Sequence, residues 1–430
     1  MRFRLTGLWH NPDFLKLWAG QTVSVFGSLI TWTALQFTAI IVLDASPFQV
    51  AVLSAATPVA GIVAGLVAGV WVDRLPRRPL MIAADLLRAA LLAAIPIAAI
   101  AGVLRIEQLY VVAFLTGVLT IIFDVAYQSF LPTVVRREEL LEGNSKLTAS
   151  ASTAEVGAFG ISGWLVQILT APFAVLVDAV SFVISALCLL RIRVPESTLA
   201  PPENRQSIRR EIGEGLRVVW QQPVLRALAG SAALEALARG VIGAVILLYL
   251  NRELGFGPGV LGMIFGIGGL SSLAGAVVAE RAVRRIGIGP AVIGSLFVSA
   301  AGTLLTVLAQ DTSFLAVGLL VANQLITDPA ATVNDIATTS LRQSVTPDRV
   351  LGRVNASIRF AALAVTFVGT LTAGLLAEEI GLRLTLLIGI GINALAALWL
   401  LASPVRRLTT VPEAAEAPAP CSAGVAGVHG

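Results

Sequence analysis

Long apolar runs separated by short polar connections set the pattern of this chain. They fall near 14–43, 48–72, 79–103, 107–130, 146–170, 172–191, 225–250, 258–280, 287–309, 313–335, 354–377 and 383–403. A helix of about 20 apolar residues crosses the hydrocarbon core of a bilayer. No water is available there, so each run must satisfy its backbone hydrogen bonds internally, as a helix does. The pattern therefore predicts about twelve transmembrane helices. The one long polar stretch runs from 191 to 226. Within it Ile208, Ile212, Leu216 and Val219 recur at helical spacing, with Arg209, Arg210, Glu214 and Arg217 between them. That spacing predicts an amphipathic helix on the membrane surface. A solvated linker is the alternative.

The polar punctuation repeats. Asp73-Arg74-Leu75-Pro76-Arg77-Arg78 follows the second run, and Glu280-Arg281-Ala282-Val283-Arg284-Arg285 follows the eighth, 207 residues later. Asp124 and Asp335 stand at matching ends of the fourth and tenth runs, 211 residues apart, and Asn144 and Asn355 open the fifth and eleventh at the same offset. Recurrence at matched places marks a duplicated membrane protein. The expected architecture is all-α, with twelve transmembrane helices in two pseudo-twofold-related six-helix bundles. The bundles would span 1–192 and 224–404, joined by a cytoplasmic linker over 193–223 that carries the amphipathic helix. A disordered cytoplasmic tail is expected over 405–430, where Pro, Ala and Gly dominate.

Composition narrows the class. With 56% hydrophobic and only 13% charged residues, the chain is no ordinary soluble domain. A sequence pI near 9.6 would suit nucleic acid, but most of the 30 Lys and Arg gather in or beside alternate connections. That is the positive-inside distribution; it predicts both termini in the cytoplasm and no nucleic-acid partner. Cys188 and Cys421 make no disulfide framework, and the histidines are His10 and His429. Neither a metal site, a cofactor nor an enzyme active centre is expected.

A charge within the bilayer costs about 2.5–3.5 kcal/mol on insertion scales, so ionisable residues inside the runs need a role. Glu155 in the fifth run has no local partner. Glu235 in the seventh precedes Arg239 by one turn, which fits either a static i,i+4 pair or an exchangeable proton site. Asp178 lies in the sixth run, and Asp85 with Arg88 in the third reads as a structural pair. Glu155, Glu235, Arg239 and Asp178 are thus the candidates for proton coupling or for meeting substrate charge. Gln21, Trp32 and Gln36 of the first run, with Asn323, Gln324 and Asp328 of the tenth, would line a cavity for a bulky amphipathic solute. Interhelical hydrogen bonding is the alternative for each.

Gly69-Val70-Trp71-Val72-Asp73-Arg74-Leu75-Pro76-Arg77-Arg78 resembles the loop signature between the second and third helices of the major facilitator superfamily. Asp178-Ala179-Val180-Ser181-Phe182 is similar to the branch containing enterobactin exporters and macrolide efflux proteins. So is Leu341-Arg342-Gln343 running on to Pro347 and Gly352-Arg353-Val354-Asn355-Ala356. The resemblance covers roughly 8–405. It implies a conformational gate, with Asp73 against the start of the eleventh helix near Gly352, Arg353 and Asn355, and Arg77 paired with Asp124. By the duplication, Glu280 would face the fifth helix near Asn144, and Arg284 or Arg285 would pair with Asp335. Together with Arg74, Arg78 and Arg281, these charges would latch the cytoplasmic side of the seam and part as the halves rock. Membrane topology alone is the competing account of the arginines. The implied function is secondary active export of a bulky organic solute (a drug, macrolide or siderophore) by alternating access and proton antiport. The transporter would be a monomer of the inner (plasma) membrane, its partners being substrate, protons and lipid. Import or flipping of a metabolite or lysolipid on the same fold is the alternative.

Overall fold

The computed structural model describes the backbone of residues 7–72, 75–194 and 208–410, and their side chains except at 66–72, 155, 159, 208–212 and 348. The apolar runs form helices. A first set comprises α1 (Pro12–Phe37), α2 (Pro47–Val72), α3 (Arg77–Ile100), α4 (Ile106–Val134), α5 (Leu140–Leu169) and α6 (Ala171–Leu190). After α7 (Ile208–Gln221) comes a second set: α8 (Pro223–Leu248), α9 (Pro258–Ile286), α10 (Ile288–Leu308), α11 (Phe314–Val345), α12 (Asp348–Ile380) and α13 (Leu382–Leu401). Among the described residues, 11 helices are long and apolar enough to cross a membrane. The twelfth, α5, begins with Glu142, Asn144 and Lys146 and is apolar over Gly160–Leu169.

Local chemistry sets the helix ends. Asn11 caps α1 by accepting from the Asp13 and Phe14 N–H groups. Proline opens α6, α8 and α9 within the first two positions, where its missing N–H costs nothing. Several helices outrun the apolar stretch that announced them. The α9 helix continues to Ile286, so Glu280–Arg285 is helical rather than a connection. Long arginines at a helix end can reach water while the backbone ladder continues.

The two sets pack alike. In the first, α1 lies on α5 and α6, α3 on α4 and α6, and α2 on α4; in the second, α8 lies on α12 and α13, α10 on α11 and α13, and α9 on α11. Between sets, α5 packs on α9 and α12 on α2, the same relation with the halves exchanged. The offset of 211 residues extends to backbone irregularities. The helix loosens into a π-type turn at Thr38–Val42 after α1 and at Tyr249–Glu253 after α8. Positive φ occurs at Asp44 (44°) and its counterpart Gly255 (81°), and again at Thr170 (66°) and Gly381 (87°). The fold is thus two related six-helix bundles.

The α7 helix forms where its apolar spacing placed it. Val219 packs with Val354 and Ile358 of α12. Gly215 sits so close to the Arg353 backbone and Ser357 that a methyl group would overlap them. Asp73, Arg74 and residues 411–430 of the expected tail lie outside the described residues, as does the Glu155 side chain. Residues 404–407 of the stretch after α13 form a 3-10 turn.

Candidate functional site

The halves are joined at the face that carries the α1–α2 and α8–α9 connections, opposite the face that carries α7. Because α2 and α9 begin with proline, their next N–H groups, Phe48 and Gly259, are left without intrahelical acceptors. Each is satisfied from the other half. Phe48 N–H donates to Glu378 Oε1 (3.2 Å), and Gly259 N–H donates to Gln167 Oε1 (3.1 Å). Gln167 and Glu378 are 211 residues apart, as are Phe48 and Gly259, so the two contacts are mates under the duplication. Glycines make the approach possible. A Cβ at Gly163 would overlap Pro258 and Gly262, and one at its mate Gly374 would overlap Phe48 and Ala51. An ion pair from Arg252 to Asp44 (2.7 Å) and a hydrogen bond from Ser46 to Glu378 (2.5 Å) complete the joint.

On the α7 face Asp124 of α4 lies within electrostatic reach of Arg359 of α12. Arg353 pairs with Glu214 of α7 (2.7 Å), and Glu280 pairs with Arg284 one turn along α9 (3.5 Å). Arg77 donates to the Ser129 carbonyl of α4 (2.7 Å), and Arg78 to the Leu189 and Leu190 carbonyls of α6 (2.8 and 2.7 Å). Arg281, Arg285, Asp335 and Gly352 are exposed, Asp124 is half-buried, and Asn355 holds a buried, unpartnered Oδ1. The described hydrogen bonds between halves gather at the opposite face.

Inside the first bundle, structure unites residues that the sequence left apart. Arg88 is bonded to Asp85 and donates to Thr120 Oγ1 (3.1 Å). Its guanidinium lies between the Phe123 and Phe182 rings, 4.6 and 4.0 Å from their centroids. Asp178 of α6 lies within electrostatic reach of the same guanidinium and accepts from Ser181 (2.9 Å). Gly27 of α1 presses against it, leaving no space for a Cβ beside Asp178 Oδ1. Asp85, Arg88 and Asp178 are 0%, 2% and 1% exposed. Two buried carboxylates thus lie within electrostatic reach of one guanidinium, as does half-buried Asp124 of α4, and Arg88 Nε lacks a hydrogen-bond partner. The i,i+3 spacing announced the Asp85–Arg88 pair; nothing local announced Asp178 beside it.

In the second bundle Glu235 takes hydrogen bonds from Ser231 (2.8 Å) and from Asn334 of α11 (2.8 Å). Arg239 is exposed and forms no ion pair with it among the described residues. The carboxylate is held both by its own helix, through Ser231, and by α11, through Asn334. Asn334 escaped the sequence reading, since an Asn in a helix is an ordinary interhelical donor. Along α11, Thr327, Asn323, Gln324 and Asp328 form a continuous hydrogen-bonded chain of 3.0, 3.0 and 3.2 Å links. Asn323 and Gln324 also line a small pocket of 170 Å³ with Phe265 and Leu320. Gln36 instead ties α1 to α2 through Ser54 (3.0 Å), Gln21 keeps a buried, unpartnered Oε1, and Trp32 is half-exposed. Arg239 and Arg359 are exposed within spans, which calls for water beside them and so for a cleft.

The Major Facilitator Superfamily profile matches residues 17–234 and again 228–428, once for each bundle. The chain belongs to the Major Facilitator Superfamily. Proteins of this superfamily are multi-span membrane transporters rather than enzymes. Among relatives of this superfamily member, the multidrug efflux pump Tap of Mycolicibacterium fortuitum is 31% identical over 238 residues, 52% of this chain and 56% of that one. Macrolide efflux protein A of Streptococcus pyogenes is 28% identical over 218 residues, 50% and 53% of the respective chains. The chain thus spans about half the length of the curated relatives it matches. A bacterial homologue of the iron transporter ferroportin, in its inward-facing state, superposes with a TM-score of 0.73 at 18% identity, over 92% of this chain and 99% of that one. Its outward-facing state gives 0.55 at 19% identity, over 90% and 98%.

Proposed function

We propose that this transporter exports a bulky organic solute of the drug or macrolide kind by alternating access, with protons as the counter-flux. Export is supported by the efflux relatives. Cytoplasmic placement of the α7 face is supported by the Lys and Arg distribution, and the halves are taken as 1–192 and 224–404. A joint closed at the opposite face then corresponds to a cleft open to the cytoplasm, which agrees with the better superposition on an inward-facing neighbour.

The observation that carries proton coupling is the buried Asp85–Arg88–Asp178 cluster. One guanidinium balances one carboxylate; a second buried carboxylate is compensated most cheaply by a proton. Asp178 touches α1 at Gly27, so its protonation and the placement of a cavity-lining helix are mechanically linked. Glu155 and Glu235 are the further coupling candidates. Uptake of ethidium or erythromycin from the medium into everted vesicles, whose cytoplasmic face points outward, under an imposed pH gradient tests the proposal. The expected outcome is export driven by the gradient and lost in Asp178→Asn. Transport that survives collapse of the gradient refutes proton coupling; full activity in Asp178→Asn with loss in Glu235→Gln moves the site to the second bundle.

A further inference from the structure

Away from the cleft, α7, α8 and α13 enclose a groove of 810 Å³ on the outer flank of the second bundle. The α13 helix packs on α8, α10 and α12 of its own bundle, so this flank faces lipid. The groove lies where the spans end, between the start of α8 at Pro223 and the end of α13 at Leu401. Its body is apolar. Leu216 and Trp220 of α7 form one wall, and Gly230 of α8 with Trp399 of α13 the other. Trp399 is fixed there because its indole N–H donates to the Ala227 carbonyl (3.0 Å) and its ring fills the space a Cβ at Gly230 would need.

Two cations stand on the rim of this apolar body. Arg217 and Arg226 line the groove and are exposed, and neither has an ion pair among the described residues. The Arg226 guanidinium lies 6.0 Å from the Trp220 ring. Trp220 is itself 72% exposed, a poor arrangement in water and a good one at the level where headgroups meet acyl chains. An apolar slot with tryptophan walls and two uncompensated guanidinium groups at its mouth is complementary to a molecule with an acyl chain and a net negative phosphate. A zwitterionic lipid brings its own cation to the same place and gains less.

We propose that this groove holds an anionic glycerophospholipid from the leaflet at the α7 face, its phosphate between Arg217 and Arg226 and an acyl chain along Trp220 and Trp399. The occupant would clamp α7 to α8 and α13, in series with the Glu214–Arg353 pair that ties α7 to α12. The site stands apart from the cleft and does not depend on what the transporter carries.

The test is tryptophan quenching by brominated phospholipid in the full chain, reconstituted in phosphatidylcholine with a minor fraction of brominated phosphatidylglycerol or brominated phosphatidylcholine. A basic residue near the surface favours anionic lipid by about fivefold, so two should give a preference of about 25-fold. Arg217→Gln and Arg226→Gln should each remove about fivefold, and the double variant the whole preference. Trp220→Phe should remove part of the quenchable signal while leaving the preference. Circular dichroism and thermal unfolding establish that the variants remain folded. Equal quenching by the two lipids overturns the proposal, as does a preference that survives in a folded double variant. A preference that emerges only after residues 411–430 are deleted assigns the groove to the tail and overturns it too.

Discussion

The two bundles differ in what the duplication preserved. At the joined face they are interchangeable. Gln167 and Glu378 each satisfy an orphan N–H at the start of a helix in the other half, Gly163 and Gly374 each clear the way for a neighbouring backbone, and the π-type turns after α1 and α8 coincide at the 211-residue offset. In the interior they are not. At that offset Leu296, Ser299 and Gly389 stand where the first bundle has Asp85, Arg88 and Asp178, and Ser24 and Phe123 stand where the second has Glu235 and Asn334. A joint that holds two halves together works best with the same contact on both sides of its axis. A buried charge gains nothing from a copy and costs several kcal/mol wherever it is unpaired. Symmetry therefore belongs to the hinge and asymmetry to the charge-handling interior.

The sharpest way to break this contrast is at Arg88. Arg88→Leu leaves the buried Asp85 carboxylate without its cation and should destabilise by about 3–5 kcal/mol. Ser299→Ala, at the matching place in the second bundle, should stay within about 0.5 kcal/mol. Unfolding in detergent micelles compares them, and equal losses would remove the interior asymmetry. Next come the seam glycines. Gly163→Val and Gly374→Val each push a side chain into the opposing helix and should disfavour the joined conformer by about 1–3 kcal/mol. Paired spin labels across the α7 face read the shift; unequal responses would mean that the duplicated joint is not mechanically equivalent.

Smaller effects sharpen the same point. Glu378→Ala and Gln167→Ala each remove one cross-half acceptor, worth about 1 kcal/mol apiece. The same labels should show Glu378→Ala as the larger, since it also loses the Ser46 bond. Least of all is Asp44→Asn, which keeps a residue tolerant of positive φ while removing the charge opposite Arg252. An exposed pair of this kind contributes about 0–1 kcal/mol, and its effect on the label distances should vanish at high salt.

Much of the architecture was legible from residue order because its causes are local or repetitive. Hydropathy runs mark helices through the cost of unpaired backbone in lipid, the 208–219 spacing marked α7, and Asp124–Asp335 with Asn144–Asn355 marked the duplication. What failed to show were partners that meet only after packing. Glu235 reads as the mate of Arg239 one turn away, yet its carboxylate lies against Asn334, 99 residues on. Arg88 reads as satisfied by Asp85, yet Asp178, 90 residues on, lies within electrostatic reach of it. The repeated arginine motifs drew attention to the α7 face, whereas the described bonds between halves lie at the other face, through backbone N–H groups that every sequence contains.

Residue order by itself determined the membrane solvent, the helices, their pairing into two halves and the arginine placement, because hydrophobic length, charge and repetition are properties of the chain read in line. Tertiary structure alone decided which face is joined, which amide caps which helix and which buried acid shares which guanidinium. Those depend on side chains brought within about 3 Å across the bundle, and hydrogen-bond distance has no counterpart along the sequence.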